Sequence, residues 1–487
     1  MRTENDKIWY EAFRRKDAGF DGRFFIGVRT TGVYCRPVCK ARLPKFENCV
    51  FYASAAEAEQ DGFRPCLLCR PELAPGLAPV DAMSNLAYKA ARKIEENCAG
   101  EESLAELAQA LECSDRHLRR SFMAEFHVTP RQYRQTCRLL LAKNLLTGSG
   151  LSVLNVAMAS GFGSLRRFNA LFKEKYHLTP TELRRQSSSS ADQPDMVTVA
   201  LGYRPPYQWE KFLAFLAQRA IPGVEKIRNN EYLRTVSLQT ADGGEVCGWI
   251  RVGHQPEKNM LAVSVSPSLL PGLPQVLSRI RSMFDLYCDP QAVGETLKAM
   301  DELKPGLYLP GTRIPGCFNA FEMSVRTILG QQVTIKAAQT LITRFVAALG
   351  KPLQTGDDSL SHIFPTPEMI VCRKASLENI LGAMGITAMR SGAIGSLAEA
   401  LLNKRINLSF GANPEKEIEK LLQLPGIGPW TAHYLAMRAM NWPDALLETD
   451  YGVKKALAPL TPKEIAVLKE KWHPWGSYAT INLWNSL

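Results

Sequence analysis

Tyr34-Cys-Arg-Pro-Val-Cys39 and Arg64-Pro-Cys-Leu-Leu-Cys-Arg70 decide how the start of this 487-residue chain is read. Each holds a close cysteine pair, Cys35 with Cys39 and Cys66 with Cys69. Two such pairs separated by a loop make a tetrahedral thiolate site, and zinc is its usual occupant. The surround is basic and proline-bearing, which sets nucleophilic sulfurs within positive charge and beside an anion. A purely structural zinc knuckle has the same spacing, so the spacing alone does not assign a role.

The length predicts several domains, each able to bury its own core. Hydrophobic content of 46% and charged content of 22% are ordinary for globular protein. The formal net charge of +11 is uneven: residues 1–185 hold 29 Lys and Arg against 21 Asp and Glu, and residues 186–487 hold 30 against 27. The bias points to a polyanionic partner for the N-terminal part. The cysteines at 49, 98, 113, 137, 247, 288, 317 and 372 are scattered and are expected to be reduced, buried thiols. No apolar run approaches the ~20 residues a membrane span needs, so no membrane partner is expected. Met1-Arg-Thr-Glu-Asn-Asp-Lys7 is not a secretory signal, and a reducing cytoplasm fits the cysteine usage.

Gln186-Ser-Ser-Ser-Ser-Ala-Asp-Gln-Pro-Asp195 reads as a flexible polar linker. Before it, residues 1–78 form a small α+β unit around the cysteines. Residues 81–185 are expected to be helical and to hold one pattern twice. Leu104-Ala-Glu-Leu-Ala108 leads to Ser114-Asp-Arg-His-Leu-Arg-Arg-Ser-Phe122 and ends at Val128-Thr-Pro130. Val153-Leu-Asn-Val-Ala157 leads to Ser160-Gly-Phe-Gly-Ser164 and Leu165-Arg-Arg-Phe168, ending at Leu178-Thr-Pro180. A short helix, a turn and a serine-capped second helix make a helix-turn-helix. Its second helix suits a major groove, with Arg116, His117, Arg119, Arg120, Arg166 and Arg167 as candidate contacts. After the linker, residues 196–272 alternate as strands around one helix near 207–220, and residues 273–487 are helical with Gly/Pro breaks.

Leu424-Pro-Gly-Ile-Gly-Pro-Trp430 is the second strong signal. Pro-Gly-x-Gly between helices expected at 415–423 and 430–440 makes a hairpin whose backbone N–H groups face outward. Gly426 and Gly428 carry no Cβ, so a phosphate can come close. Asp450 lies further on, in Leu446-Leu-Glu-Thr-Asp-Tyr451, and is the candidate catalytic carboxylate, able to stabilise a sugar cation or orient water. Glu448 is the alternative. Trp430, Tyr434, Trp442, Trp472, Trp475, Tyr478 and Trp484 gather nearby, some as core and some suited to a flat cationic base.

Residues 1–185 resemble the N-terminal regulatory half of Ada-type proteins of the adaptive response to DNA methylation, through Arg29–Cys39 and Gly62–Arg70, with an AraC-type helical DNA-binding domain. Residues 196–487 resemble the AlkA-type 3-methyladenine DNA glycosylases of the helix–hairpin–helix superfamily, through Phe284-Asp-Leu286, Leu309-Pro-Gly311, Ile328–Val333, Leu424–Trp430 and Trp475–Ala479. The resemblances imply a multidomain fold: a small α+β zinc domain, an all-α double helix-turn-helix, an α+β subdomain and an all-α helix–hairpin–helix glycosylase domain.

They imply roles too. Cys35 would accept a methyl group from a DNA methyl-phosphotriester, and Cys35, Cys39, Cys66 and Cys69 would bind zinc. A monovalent cation at the hairpin is a second candidate. Asp450 takes the catalytic position, and Trp430, Tyr434 and Trp484 the base pocket. The family's strand-cutting members carry a lysine where Trp430 stands, so excision without lyase activity is expected. Gln332 occupies the wedge position, where an apolar side chain is usual, and Pro429 replaces a cationic residue found in some relatives. No Pro-Cys-His-Arg-like motif is present, so no O6-methylguanine repair is expected. The implied partners are alkylated and promoter double-stranded DNA, with RNA polymerase a candidate, for a cytoplasmic, nucleoid-associated bacterial monomer. Two competing readings remain: a regulator whose C-terminal half is a non-catalytic DNA-binding module, and a repair enzyme whose helix-turn-helix pair only adds nonspecific DNA affinity.

Overall fold

The computed structural model describes residues 4–76, 85–186, 196–240 and 243–487. The serine-rich stretch after Gln186 and the chain around Pro79 lie outside those residues.

The first unit packs α1 (Glu4–Arg15) on a sheet of order β3-β1-β2-β4, with β1 Phe25–Val28, β2 Val33–Cys35, β3 Cys49–Tyr52 and β4 Arg64–Pro65; α2 (Ala55–Gln60) precedes β4. Trp9 of α1 stacks on Phe24, with centroids 5.0 Å apart, and fixes the helix on the sheet. Strand β2 runs antiparallel to β1 and parallel to β4, with Val33 opposite Arg64 and Tyr34 opposite Pro65. One residue further, that register sets Cys35 beside Cys66, whose N–H donates to the Tyr34 carbonyl at 3.0 Å. Parallel pairing thus joins two cysteine pairs that are distant in sequence.

Residues 85–186 are helical, as expected: α3 (Leu86–Glu96), α4 (Leu104–Ala110), α5 (Asp115–Phe126), α6 (Pro130–Gly148), α7 (Val153–Ala159), α8 (Leu165–Tyr176) and α9 (Pro180–Gln186). The repeat is built twice from the same local devices. Ser103, Ser114, Ser152 and Ser164 each accept the N–H three residues on, capping α4, α5, α7 and α8. Each cap stabilises its helix by about 1 kcal/mol. Helices α5 and α8 both end on a histidine in the left-handed region, His127 at φ 54° and His177 at φ 56°. Residues spaced four apart form their inner faces: Leu118, Phe122 and Phe126, then Phe168, Phe172 and Tyr176, all buried.

The third unit is an antiparallel sheet of order β5-β9-β8-β7-β6, from β5 (Val197–Gly202), β6 (Glu225–Arg228), β7 (Glu231–Gln239), β8 (Glu245–Gln255) and β9 (Met260–Val265), with α10 (Trp209–Ala217) between β5 and β6. The helical remainder comprises α11 (Leu273–Met283), α12 (Pro290–Leu297), α13 (Ala320–Leu329), α14 (Ile335–Leu349), α15 (Pro367–Val371), α16 (Lys374–Gly382), α17 (Ala388–Leu402), α18 (Pro414–Leu422), α19 (Pro429–Arg438), α20 (Tyr451–Ala456), α21 (Pro462–Trp472) and α22 (Gly476–Asn485). The sequence break at 350–367 also holds a two-residue strand pair, β10 (Lys351–Pro352) with β11 (His362–Ile363). A buried ion-pair network clips the sheet to α13: Arg234 reaches Glu322 at 2.6 Å, and Arg326 reaches Glu225 at 2.9 Å.

The hydrophobic cores do not coincide with the sequence divisions. The core of the first helix-turn-helix, around Leu107, Leu118 and Phe122, also takes in Ala56 of α2. The second shares one continuous core with the sheet, from Leu145, Phe168 and Phe172 to Val199, Ile250 and Phe284. Asn144 of α6 adds a hydrogen bond to the Ala200 carbonyl at 3.1 Å. The cysteine expectation is corrected in part: Cys49, Cys98 and Cys288 are buried, Cys113, Cys137, Cys247 and Cys317 are half-buried, and Cys372, just past the end of α15, is exposed.

Candidate functional sites

The four sulfurs of Cys35, Cys39, Cys66 and Cys69 lie within 4.8 Å of one another. Zinc–sulfur bonds of about 2.3 Å in a tetrahedron need sulfurs about 3.8 Å apart, so the set fits zinc with small adjustment. Cys35, Cys39 and Cys66 are buried and Cys69 is half-buried. Hydrogen bonding from Cys39 and the other two sulfurs, together with burial, drives the Cys35 thiol pKa far up, whereas sulfur hydrogen bonds drive Cys66 down. Four thiolates this close repel one another, and a dication would let all four be deprotonated together.

Arg36, not singled out from sequence, braces this cluster. Its backbone N–H donates to Cys69 Sγ at 3.4 Å, its Nη1 to the Cys69 carbonyl at 3.1 Å, and its Nε to Asp21 at 2.8 Å. A guanidinium fixed beside sulfur favours the thiolate form. The unit sits on the helices through buried polar contacts: Glu59 accepts from Tyr34 Oη and Thr136 Oγ1, at 3.1 and 2.7 Å.

In the helix-turn-helix units, Arg116, His117, Arg119, Arg120, Arg166 and Arg167 are all exposed. They lie in the first two turns of α5 and the first turn of α8, and their side chains make no ion pair among the described residues. They form an open, largely cationic surface with no ion-pair partner among the described residues.

The C-terminal site centres on Asp450. It caps α20, with Oδ1 accepting the Val453 N–H at 3.0 Å and Trp484 Nε1–H at 2.9 Å. Oδ2 accepts Trp430 Nε1–H at 3.0 Å. Tyr434, one turn along α19, stacks on Trp430 with centroids 5.0 Å apart and planes 16° apart, and lies 6.3 Å from Trp484. The structure therefore brings together all four residues expected here, around one half-buried carboxylate. Glu448 is not in this set; Lys469 pairs with it at 2.8 Å. Trp472, Trp475 and Tyr478 are core, while Trp442 packs partly buried beside Tyr434.

Sequence reasoning missed the supporting residues. Phe215 of α10 stacks on Trp484 with planes 13° apart, so the sheet subdomain closes one side of the site. Buried Arg438 donates to Tyr434 Oη and lies 5.3 Å from its ring centroid. A Cβ at Gly452 would stand 3.0 Å from both Trp484 Cδ1 and Asp450 Oδ1, so a side chain there would crowd the indole against the carboxylate.

The hairpin joins α18 to α19. Gly426 has φ 79°, and a Cβ there would meet Ala393 Cβ at 3.0 Å. Gly428 is exposed, caps α19 with no side chain, and would find open space around a Cβ. Gln331 fixes the turn, with Nε2 donating to the Gly426 carbonyl at 2.9 Å and to Thr431 Oγ1 at 3.0 Å. Gln332, next to it, is exposed at φ 53°.

Three domain families match in this order along the chain: "Metal binding domain of Ada" at residues 8–72, "Helix-turn-helix domain" at 107–186 and "AlkA N-terminal domain" at 198–319. The chain is 34% identical over 98% of its length to the "Probable bifunctional transcriptional activator/DNA repair enzyme AlkA" of Mycobacterium tuberculosis, covering 96% of that protein. It belongs to the Ada–AlkA fusion family. Its two halves also have separate counterparts. The fusion's C-terminal part is 34% identical to "DNA-3-methyladenine glycosylase 2" of Escherichia coli, over 58% of this chain and 95% of that protein. Its N-terminal part is 31% identical to "Bifunctional transcriptional activator/DNA repair enzyme AdaA" of Bacillus subtilis, over 37% of this chain and 83% of that protein. Among solved structures, the 3-methyladenine DNA glycosylase from Archaeoglobus fulgidus aligns with 58% of this chain and 96% of its own, at 18% identity and a TM-score of 0.47.

Proposed function

We propose that this protein senses methylated DNA phosphates, regulates transcription in response, and excises alkylated bases. The observation that carries the enzymatic half is the Asp450 carboxylate held by two indole N–H groups between aromatic faces. A flipped N-alkylpurine would stack on Trp430, Tyr434 and Trp484, which favour a flat cation. As the glycosidic bond breaks, its electron pair leaves with the base, and Asp450 faces the cationic sugar and orients water onto it. The sugar carbon gains a hydroxyl and water's proton is released. With Trp430 after the hairpin and no lysine there, the product is an abasic site in an unbroken strand.

In the sensing half, the Cys35 thiolate attacks the methyl carbon of a phosphotriester. The C–O bond breaks, a phosphodiester anion leaves, and Cys35 becomes a thioether. The thioether is stable, so the transfer is a single turnover. Zinc, when bound, keeps Cys35, Cys39, Cys66 and Cys69 deprotonated and carries a formal charge of about −2 with four thiolates, about −1 after methylation. The less negative cluster is repelled less by DNA, and the exposed arginines of α5 and α8 turn that gain into promoter binding, with RNA polymerase the next partner. Residues 1–78, 81–185, 196–272 and 273–487 are the units of this division, in a cytoplasmic, monomeric protein. Among the described residues, no helix is long and apolar enough to cross a membrane.

Intact-protein mass spectrometry after incubation with methylated DNA tests the sensor. A gain of one methyl group mapped to Cys35 supports it, and an unmodified Cys35 overturns it. Release of 3-methyladenine from the same DNA, leaving alkali-labile but uncut strands, tests the glycosylase.

A further inference from the structure

We infer that Met389 is the apolar side chain that enters the opened base step of DNA, compensating for the polar Gln332. The inference rests on the glycosylase reading of the C-terminal half. Met389 is the second residue of α17 and is 70% exposed. Among the described large apolar residues only Tyr451, at 80%, is more exposed. Leaving a thioether side chain in water is unfavourable, and among the described residues this one stays largely uncovered.

Its place is defined. A Cβ at Gly426 would stand 3.7 Å from Met389 Cγ, so Met389 lies directly against the hairpin turn. The next residue, Arg390, donates from Nη2 to the Gln331 carbonyl at 2.5 Å. Gln331 in turn holds the Gly426 carbonyl and Thr431. The start of α17, the hairpin and the loop bearing Gln332 are therefore one rigid rim. Val333 and Ile335 on the same loop are 36% and 45% exposed, but Met389 is the longest and most exposed apolar group there.

The rim's electrostatics favour a duplex as occupant. Helices α17 and α19 begin here without a side-chain cap, since Thr387 makes no cap bond and Gly428 has no side chain. The first-turn N–H groups of α17, and those of α19 that follow Pro429, have no capping side chain and suit phosphate oxygens, and the helix ends are electropositive. Beside phosphates held there, the largest flat apolar surface a locally opened duplex offers is the face of an unstacked base. An unbranched, polarizable thioether packs well on such a ring, and methionine is among the side chains that wedge base steps apart. Gln332, held outward at φ 53°, has an amide suited to the edge of the base left without its partner.

The test uses the full-length protein and a duplex containing a tetrahydrofuran abasic-site analogue flanked by 2-aminopurine, whose fluorescence rises on unstacking. Wild type should bind and brighten the duplex. Met389→Ala should bind it about tenfold more weakly, as expected for losing much of one buried side chain, and lose most of the brightening. Met389→Leu should restore both. Affinity for the same strand unpaired should change less than twofold, since it has no stack to open, and thermal melting should match wild type. Met389→Ala brightening the duplex as wild type does, or losing single-strand and duplex affinity equally, overturns the inference. Base release by wild type from alkylated DNA, measured alongside, reports separately on the glycosylase reading.

Discussion

Replacing Asp450 with asparagine removes one charge and almost no volume, and the local geometry sets the consequences for stability and for rate. Asp450 accepts three N–H groups: Val453 and Trp484 on Oδ1, and Trp430 on Oδ2. Asparagine has one oxygen. If it faces Val453 and Trp484, the cap survives but its NH2 meets the Trp430 N–H, two donors head to head. A donor left so costs about 1–3 kcal/mol, which melting should register as a drop of a few degrees. The catalytic loss is larger. A carboxylate about 4 Å from a sugar cation, at the effective dielectric of about 20 suited to a half-buried site, stabilises it by about 4 kcal/mol. Without that charge the chemical step slows about a thousandfold. The assay is single-turnover release of 3-methyladenine from alkylated duplex with enzyme in excess, beside binding to a duplex carrying an abasic-site analogue. Asp450→Asn keeping more than a tenth of the wild-type rate would refute the assignment. So would a loss of rate fully matched by a loss of DNA affinity, because Asp450 would then be positioning DNA and not stabilising charge.

Features outside that carboxylate carry three further expected outcomes. Burial pushes the Glu59 carboxyl up to about 7, against hydrogen bonds from Thr136 and Tyr34 that lower it; the folded protein holds this proton where the unfolded chain has lost it, so stability from Glu59 is present at pH 5 and falls as pH rises through 7. Glu59→Gln should flatten that dependence in melting curves between pH 5 and 8. Gly426→Ala should destabilise by about 1–2 kcal/mol, because φ is 79° and the new methyl meets Ala393, and should weaken duplex binding; unchanged melting and affinity would mean the hairpin tolerates a side chain. Removing Arg119 or Arg166 should lower promoter affinity and reduce the salt slope of binding by about one for each phosphate no longer neutralised; an unaltered slope would take that residue off the DNA.

What the sequence disclosed and what it hid divide along the range of the interactions. The zinc cysteines and the glycine hairpin were legible because their chemistry is written in a few consecutive residues. The repeated helix-turn-helix was legible for the same reason: serine caps, four-residue apolar spacing and Thr-Pro starts are local. Asp450 was singled out by its place after the hairpin, and resemblance selected Trp430, Tyr434 and Trp484 from the aromatics around it. Nothing local tells that Trp484 reaches back 34 residues to Asp450, or that Gly452 makes room for it. Phe215, Arg438, Gln331 and Arg36 were hidden because each acts on a partner supplied by the fold. That Phe168 and Phe172 belong to the sheet's core is decided by packing between units that the sequence separates with a linker.

That shared core changes what the fusion is. A chain nicked between Gln186 and Met196 would still travel as a single particle, and either half made alone would carry an uncovered oily face. The join is thus a matter of architecture more than of tethering. When the reader helices occupy a control region, the excision site is carried there in a set orientation, like a tool fixed to its gauge. On the proposed function, alkylated bases beside the bound control region would then be within reach of the same protein.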